Sequence, residues 1–208
     1  HSDTLRKTVV RSNPIANAGA DVNFCSGQSA NIGAAPVSGN TYSWSPSSGL
    51  SSGSASNPSV SLSTSGSTPQ SSQYVLTSTV NNCIVRDTVN VTVNPNPVIQ
   101  FTSIPDQCLS NSPLTLNAAT PPGGTYSGPG VTGSTFSPSA AGVGTHTITY
   151  SVTNQYGCSS SATTTIVVNP NPVVNAGGDV AFCSGSNATL GSPSVNGQTY
   201  NWTPSSGL

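Results

Sequence analysis

The sequence predicts an all-β chain: tandem β-sandwich modules in an extended array. Three observations predict it. Pro14 to Leu50 returns without a gap 158 residues later as Pro172 to Leu208, with 22 of 37 positions identical. Period-two alternation of β-branched and aromatic residues recurs at regular spacing, as half-buried strands require. Asn, Gly and Pro punctuate those runs where turns and strand ends demand them. A repeated block that stops partway cannot bury its core, so the 208 residues read as a window on a longer array of stacked modules.

The elements follow in order. Residues 1–14 are predicted to be the final strand of a preceding module, because sliding 1–13 onto 159–171 places Val9-Val10 on Val167-Val168. Residues 15–97 form a first module. Within it Tyr74, Leu76 and Val80 share one face of Ser72 to Val80, while Val85, Val89, Val91 and Val93 share one face of Ile84 to Val93. Asn81-Asn82 closes the two runs into a hairpin. Asn94-Pro95-Asn96-Pro97 then stops the strand, since two prolines remove two ladder donors and stiffen the chain.

Residues 98–172 form a module of a second type. Thr145 to Val152 turns at Asn154 to Gly157 and returns as Thr163 to Val168, and Asn169-Pro170-Asn171-Pro172 repeats the stop. Residues 173–208 are a truncated module homologous to 15–97, its remainder expected beyond the window. The repeating unit is thus a pair of unlike modules. Nothing in the pattern predicts a helix.

Composition narrows the function. Only nine residues are charged, Arg6, Lys7, Arg11 and Arg86 against Asp3, Asp21, Asp87, Asp106 and Asp179, for a net charge of -1. That excludes the basic footprint of a nucleic-acid binder and offers anionic membranes nothing to attract. No membrane insertion is predicted in the window. Ser and Thr make up 63 of 208 residues, yet low charge and regular β-branched runs argue against disorder.

Each full module holds one early cysteine and one on its last hairpin, Cys25 with Cys83 and Cys108 with Cys158. Both pairs are expected as disulfides within their modules. Each would stabilise its module by roughly 4 kcal/mol in the chain-entropy account, and both imply an oxidising, extracellular compartment. Cys183 aligns with Cys25, and its partner is expected outside the window. A metal site is the competing reading, but there is no C-x-x-C pair and His146 is the only interior histidine, so neither metal nor cofactor is expected.

Several motifs look chemical and are discounted. Gly49 to Gly53 fits the G-x-S-x-G pattern and Gly128 to Gly133 the G-x-G-x-x-G pattern, but no helix is predicted after either. Tyr42 and Trp44 alternate on one strand face, matched by Tyr200 and Trp202. Such a pair can stack on sugar rings, while a buried core pair is the simpler reading. Asn90, Asn187 and Asn201 begin N-glycosylation sequons, and Thr4 and Thr88 sit in Asp-Thr-aliphatic triplets that resemble the O-glycosylation signal of Bacteroidota.

The blocks YSWSPSSGLSS (Tyr42 to Ser52), GGTYSGPGVTGSTFSPSAAGVGTHTITYSVTNQYGC (Gly123 to Cys158) and VTVNPNP (Val91 to Pro97) resemble the PKD-like or immunoglobulin-like repeats of secreted Bacteroidota proteins. Those include gliding-motility adhesins and other cargo of the type IX secretion system. YSWSPSSG stands where typical PKD domains carry W-D-F-G-D-G. The resemblance implies a non-catalytic, adhesive or structural repeat region of a large cell-surface or fibre-forming protein. Its partners are expected to be neighbouring modules of the same or an adjacent chain, and surface polysaccharide. The rival reading is a set of spacer or carbohydrate-binding repeats attached to a secreted enzyme.

Overall fold

The computed structural model describes residues 14–203. The proposed leading strand 1–14, apart from Pro14, and Thr4 within it lie outside the described residues. The strands of residues 15–97 are β1 (Val22–Cys25), β2 (Ser29–Asn31), β3 (Thr41–Ser45), β4 (Ser59–Ser61), β5 (Gln70–Val80) and β6 (Cys83–Asn94). β1, β6, β5 and β3 form a four-stranded sheet in that order, and β2 pairs with β4 in a second sheet.

Sequence explains the long hairpin at the centre. β5 and β6 pair antiparallel from Val80↔Cys83 to Gln70↔Val93. The two residues between them, Asn81 and Asn82, have φ of 48° and 61°. Both are left-handed, the backbone a two-residue hairpin needs, and asparagine tolerates it better than most residues. Tyr74 and Leu76 of β5, with Val89 and Val91 of β6, are then all buried on one face. Val60, from the two-stranded sheet, and Ile32 and Trp44 complete the core between the sheets. Burial of these side chains removes apolar surface from water, the main favourable term for folding.

β1 differs from its neighbours. It runs parallel to β6, with Val22 beside Val91 and Cys25 beside Asn94. The Ser26 N–H then donates to the Asn94 carbonyl at 2.8 Å, extending the contact into the turn.

The remaining strands are β7 (Gln100–Phe101), β8 (Gln107–Cys108), β9 (Leu114–Thr115), β10 (Ala119–Thr120), β11 (Thr125–Ser127), β12 (Val131–Thr132), β13 (Thr135–Phe136), β14 (Gly144–Thr153) and β15 (Ser159–Asn169). The second four-stranded sheet has the order β11, β14, β15, β8, which repeats β3, β5, β6, β1. Again the short early strand is parallel to the last, with Cys108 beside Asn169. The fold is all-β, of the β-sandwich class. One helical turn, α1 (Pro138–Ala141), corrects the expectation that nothing helical is present. Pro138 fits the first helical turn because the missing N–H has no partner to lose there.

The chain packs as two compact units. Among the described residues one comprises 14–102, 118–126 and 149–163, the other 103–117, 127–148 and 164–203. The first holds two apolar clusters: the sandwich core above, and a second of Ala119, Tyr150 and Val152 with Phe101 and Tyr126 against it. The second buries Ile104, Leu116, Phe136, Ile148, Ile166 and Val168. Tyr74 and Tyr150 solve one problem in the same way. Each ring is almost fully buried, and each hydroxyl donates to a carbonyl well upstream, Ser48 at 2.8 Å and Pro121 at 2.6 Å, so no buried donor is orphaned.

Two glycines test the turn geometry. Gly33 and Gly27 both have left-handed φ, 84° and 82°. A Cβ on Gly33 would collide with the Ser56 carbonyl oxygen, whereas one on Gly27 meets nothing within 4 Å. Gly33→Ala should therefore cost about 2 kcal/mol or more, through strain plus a forced backbone shift, and Gly27→Ala only about 1 kcal/mol of strain. Urea denaturation of the two variants checks the order, and equal losses would contradict it.

Candidate functional site

One cystine and its polar neighbours gather at the end of β6. Cys25 closes β1, beside the last residue of β6, and is bonded to Cys158 across 133 residues of sequence. Their Cα atoms are 5.6 Å apart, an ordinary cystine span. Cys158 is buried, with its sulfur 3.9 Å from the Asn94 carbonyl oxygen. The Asn154 side-chain amide donates to the Pro95 carbonyl at 2.7 Å, and its carbonyl oxygen accepts from the Cys158 N–H at 3.1 Å. The turn after β14 is thus held to β1 by the cystine and to Pro95 by the Asn154 hydrogen bond.

This corrects both expected pairings. Cys25 is not bonded to Cys83, nor Cys108 to Cys158; Cys83, Cys108 and Cys183 are free thiols. Strand geometry is the reason. Cys25 lies beside Asn94, at the far end of β6, and Cys83 begins that same strand. Twelve extended residues put them about 35 Å apart, far beyond cystine reach. In the same way Cys108 lies beside Asn169, the last residue of β15, while Cys158 directly precedes its first. The sequence carried the signal, since each Asn-Pro-Asn-Pro begins 11 residues after a cysteine, one long strand away.

The other candidates scatter. Trp44 is enclosed in the core, 4% exposed, with its indole N–H donating to the Ala55 carbonyl at 2.8 Å. No face is open for a sugar ring. Tyr42 is half-buried and its hydroxyl accepts from the Val37 N–H at 2.7 Å. Thr88 is exposed on β6, and Asn187 and Asn201 are exposed outside any strand. Asn90 is half-buried, with its backbone N–H donating to Asp21 at 2.8 Å and its side-chain amide at 3.1 Å. His146 lies on β14 with Nε2 2.8 Å from the Gly142 carbonyl oxygen. No group of three or more His, Cys, Asp or Glu capable of holding a metal occurs among the described residues.

Residues 173–203 repeat the turns of 15–45 without their strands. Gly177, Gly185, Gly191 and Gly197 have φ of 80°, 86°, 84° and 82°, against 86°, 82°, 84° and 82° at Gly19, Gly27, Gly33 and Gly39. The Gly191 N–H donates to the Ala176 carbonyl at 3.0 Å as Gly33 does to Ala18 at 2.7 Å, and Val195 donates to the Tyr200 hydroxyl as Val37 does to Tyr42. Their apolar side chains are open: Trp202 is 38% exposed against 4% for Trp44, and Leu190 42% against 2% for Ile32. A groove of about 430 Å³ lies along Val174, Leu190, Tyr200 and Trp202.

No family model and no curated protein matches the chain. Among solved structures, the insect immune protein hemolin aligns at 14% identity and a TM-score of 0.41, covering 79% of this chain and 48% of that one. The chain spans about half the length of hemolin. An I-band fragment of titin aligns at 12% identity and 0.35, covering 77% and 67%. A SusE-like surface-located polysaccharide-binding protein from the Bacteroides thetaiotaomicron heparin utilisation locus aligns at 11% and 0.37, covering 76% and 34%. At these scores nothing beyond the sandwich class is taken from the alignments.

Two measurements check the site. Non-reducing peptide mapping of the alkylated 208-residue polypeptide should recover one crosslink, Cys25 to Cys158, with Cys83, Cys108 and Cys183 alkylated; a Cys25 to Cys83 crosslink would contradict the structure. The second is pH dependence. Hydrogen bonds from Asn90, the backbone one foremost, hold the Asp21 carboxyl below its ordinary value. A carboxyl so lowered stabilises the fold above its unfolded pKa, and that contribution fades as pH falls through the folded value, below about pH 4. Asp21→Ala should lower Tm at pH 7, and its difference from the parent should shrink below about pH 4. A difference constant down to pH 2 would assign the loss to something other than the charge.

Proposed function

We propose that residues 15–97 and 98–172 are alternating modules of a tandem array that forms a structural or adhesive region of a large extracellular surface or fibre protein, without catalysis. The observation that carries this reading is the return of the same turns and hydrogen bonds after 158 residues, combined with a cystine that joins one module to the next. A covalent bond between consecutive modules resists pulling along the chain. The disulfide belongs to an oxidising compartment. No helix among the described residues is long and apolar enough to cross a membrane.

The gliding-motility and type IX secretion context belongs to this proposal through the sequence resemblance, as do O-glycosylation at Thr88 and glycan contact. Residues 173–208 are the opening part of a further module of the 15–97 type. The groove at Tyr200 and Trp202 is lined by the residues that match Tyr42 and Trp44 of the packed core.

Deletion of residues 15–172, one whole period, from the protein in its native host tests the reading. Surface attachment should fall, secreted polysaccharide hydrolysis should be unchanged, and intact mass under reducing, denaturing conditions should be many times 20.7 kDa. Loss of hydrolysis with attachment intact would overturn it in favour of repeats serving a secreted enzyme.

A further inference from the structure

Three cysteines remain as thiols, Cys83, Cys108 and Cys183. Their positions obey one rule. Cys25 pairs forward across 133 residues, from the early strand of one module to the last hairpin of the next. Cys83, carried forward by the 158-residue period, falls 133 residues after Cys108. The early cysteine of the second module therefore stands to a following hairpin as Cys25 stands to Cys158. By the same period Cys83 lies 133 residues after the preceding equivalent of Cys108, and Cys183 stands where Cys25 does.

The geometry at Cys108 is independent of that count and agrees with it. Cys108 lies in parallel register beside Asn169, as Cys25 lies beside Asn94. The next N–H, of Leu109, donates to the Asn169 carbonyl at 2.9 Å, as Ser26 donates to Asn94 at 2.8 Å. The Asn111 N–H donates to the Cys108 carbonyl at 2.9 Å, and Gln28 does the same to Cys25 at 2.9 Å. Asn171, in the linker, accepts from the Ser110 N–H at 3.0 Å; at the first junction Asn96 donates to the Ser26 carbonyl at 3.1 Å. Cys108 is half-buried at the start of its linker, held in the backbone cradle that holds Cys25.

We propose that Cys108 is the site of a second intermodular disulfide, closed by the hairpin cysteine of the 15–97-type module that begins at residue 173 in the same polypeptide. The array is then a ladder of cystines, one at every junction, with Cys83 taking a bond from the preceding module and Cys183 giving one to the module that follows its own. This rests on the tandem-array reading and adds to it how each junction is locked. The bond forms by thiol–disulfide exchange with an oxidant of the disulfide class. One protein thiolate opens the oxidant to a mixed disulfide, and the second displaces it. Two protein S–H bonds are lost, one S–S bond is gained, and the oxidant leaves as two thiols.

The repeat can be extended in register, because Leu208 matches Leu50. Appending residues 51–97 after Leu208 supplies a second copy of Cys83. After oxidation with glutathione disulfide and alkylation, peptide mapping should find Cys108 joined to the appended cysteine and Cys25 to Cys158, with Cys83 and Cys183 alkylated. A crosslink from Cys183 to the appended cysteine, which is the pairing within one module, overturns the proposal. So does a Cys108 to Cys83 bond between two molecules, seen as a covalent dimer, or an appended cysteine alkylated although Trp202 has become protected from acrylamide quenching. If Trp202 stays exposed, so that the extension has not folded, protein isolated from its source with thiols blocked at lysis decides. Cys108 recovered in a crosslinked peptide supports the ladder, and Cys108 recovered alkylated overturns it. Alkylated Cys108 in a protein that still mediates attachment defeats the ladder alone and leaves the adhesive reading standing.

Discussion

The parallel pairing of β1 with the end of β6 is the constraint on which the rest depends. β6 is twelve residues long and pairs with β5 along eleven of them, so its direction and face are set by the hairpin. Laying β1 beside its last four residues, Val91 to Asn94, brings the opening of the module to the point where the chain leaves it. Everything at the junction follows. Ser26 binds Asn94, Asn96 binds back to Ser26, and Cys25 is delivered to the one end of the sandwich where a following hairpin can reach it.

That placement changes what the cystine stabilises. A Cys25 to Cys83 bond would close a loop of only 58 residues. The bond from Cys25 to Cys158 closes one of 133, worth about 5 kcal/mol in the chain-entropy account. Packing then holds the cores, with a buried tyrosine on each of β5 and β14 whose hydroxyl reaches an upstream carbonyl. With few charges to pair, backbone hydrogen bonds and apolar burial carry the fold.

Residues 173–203 separate local from long-range determinants. Their turns close with the same left-handed glycines and the same short-range hydrogen bonds as 15–45, because those depend only on nearby residues. Their strands do not form and their apolar side chains stay open, because a strand needs a partner and a core needs two sheets. In the first module β5, β6 and the loop at Ala55 and Ser56 supply what is needed to bury Ile32 and Trp44.

The sequence by itself determined the all-β class, the Asn81-Asn82 hairpin, the buried face of β5 and β6 and the repeat period. Each is set by alternation, turn chemistry or identity over a short stretch, which a single chain displays directly. The lone helical turn at Pro138 escaped because four residues show no periodicity. The cysteine pairing was decided only in the tertiary structure. Sequence distance favours Cys25 with Cys83, but which sulfurs meet depends on which strand β1 lies against and in which direction. A parallel strand at the end of β6 moves Cys25 some 35 Å from the cysteine at its start and sets it against Cys158 after the β14 turn.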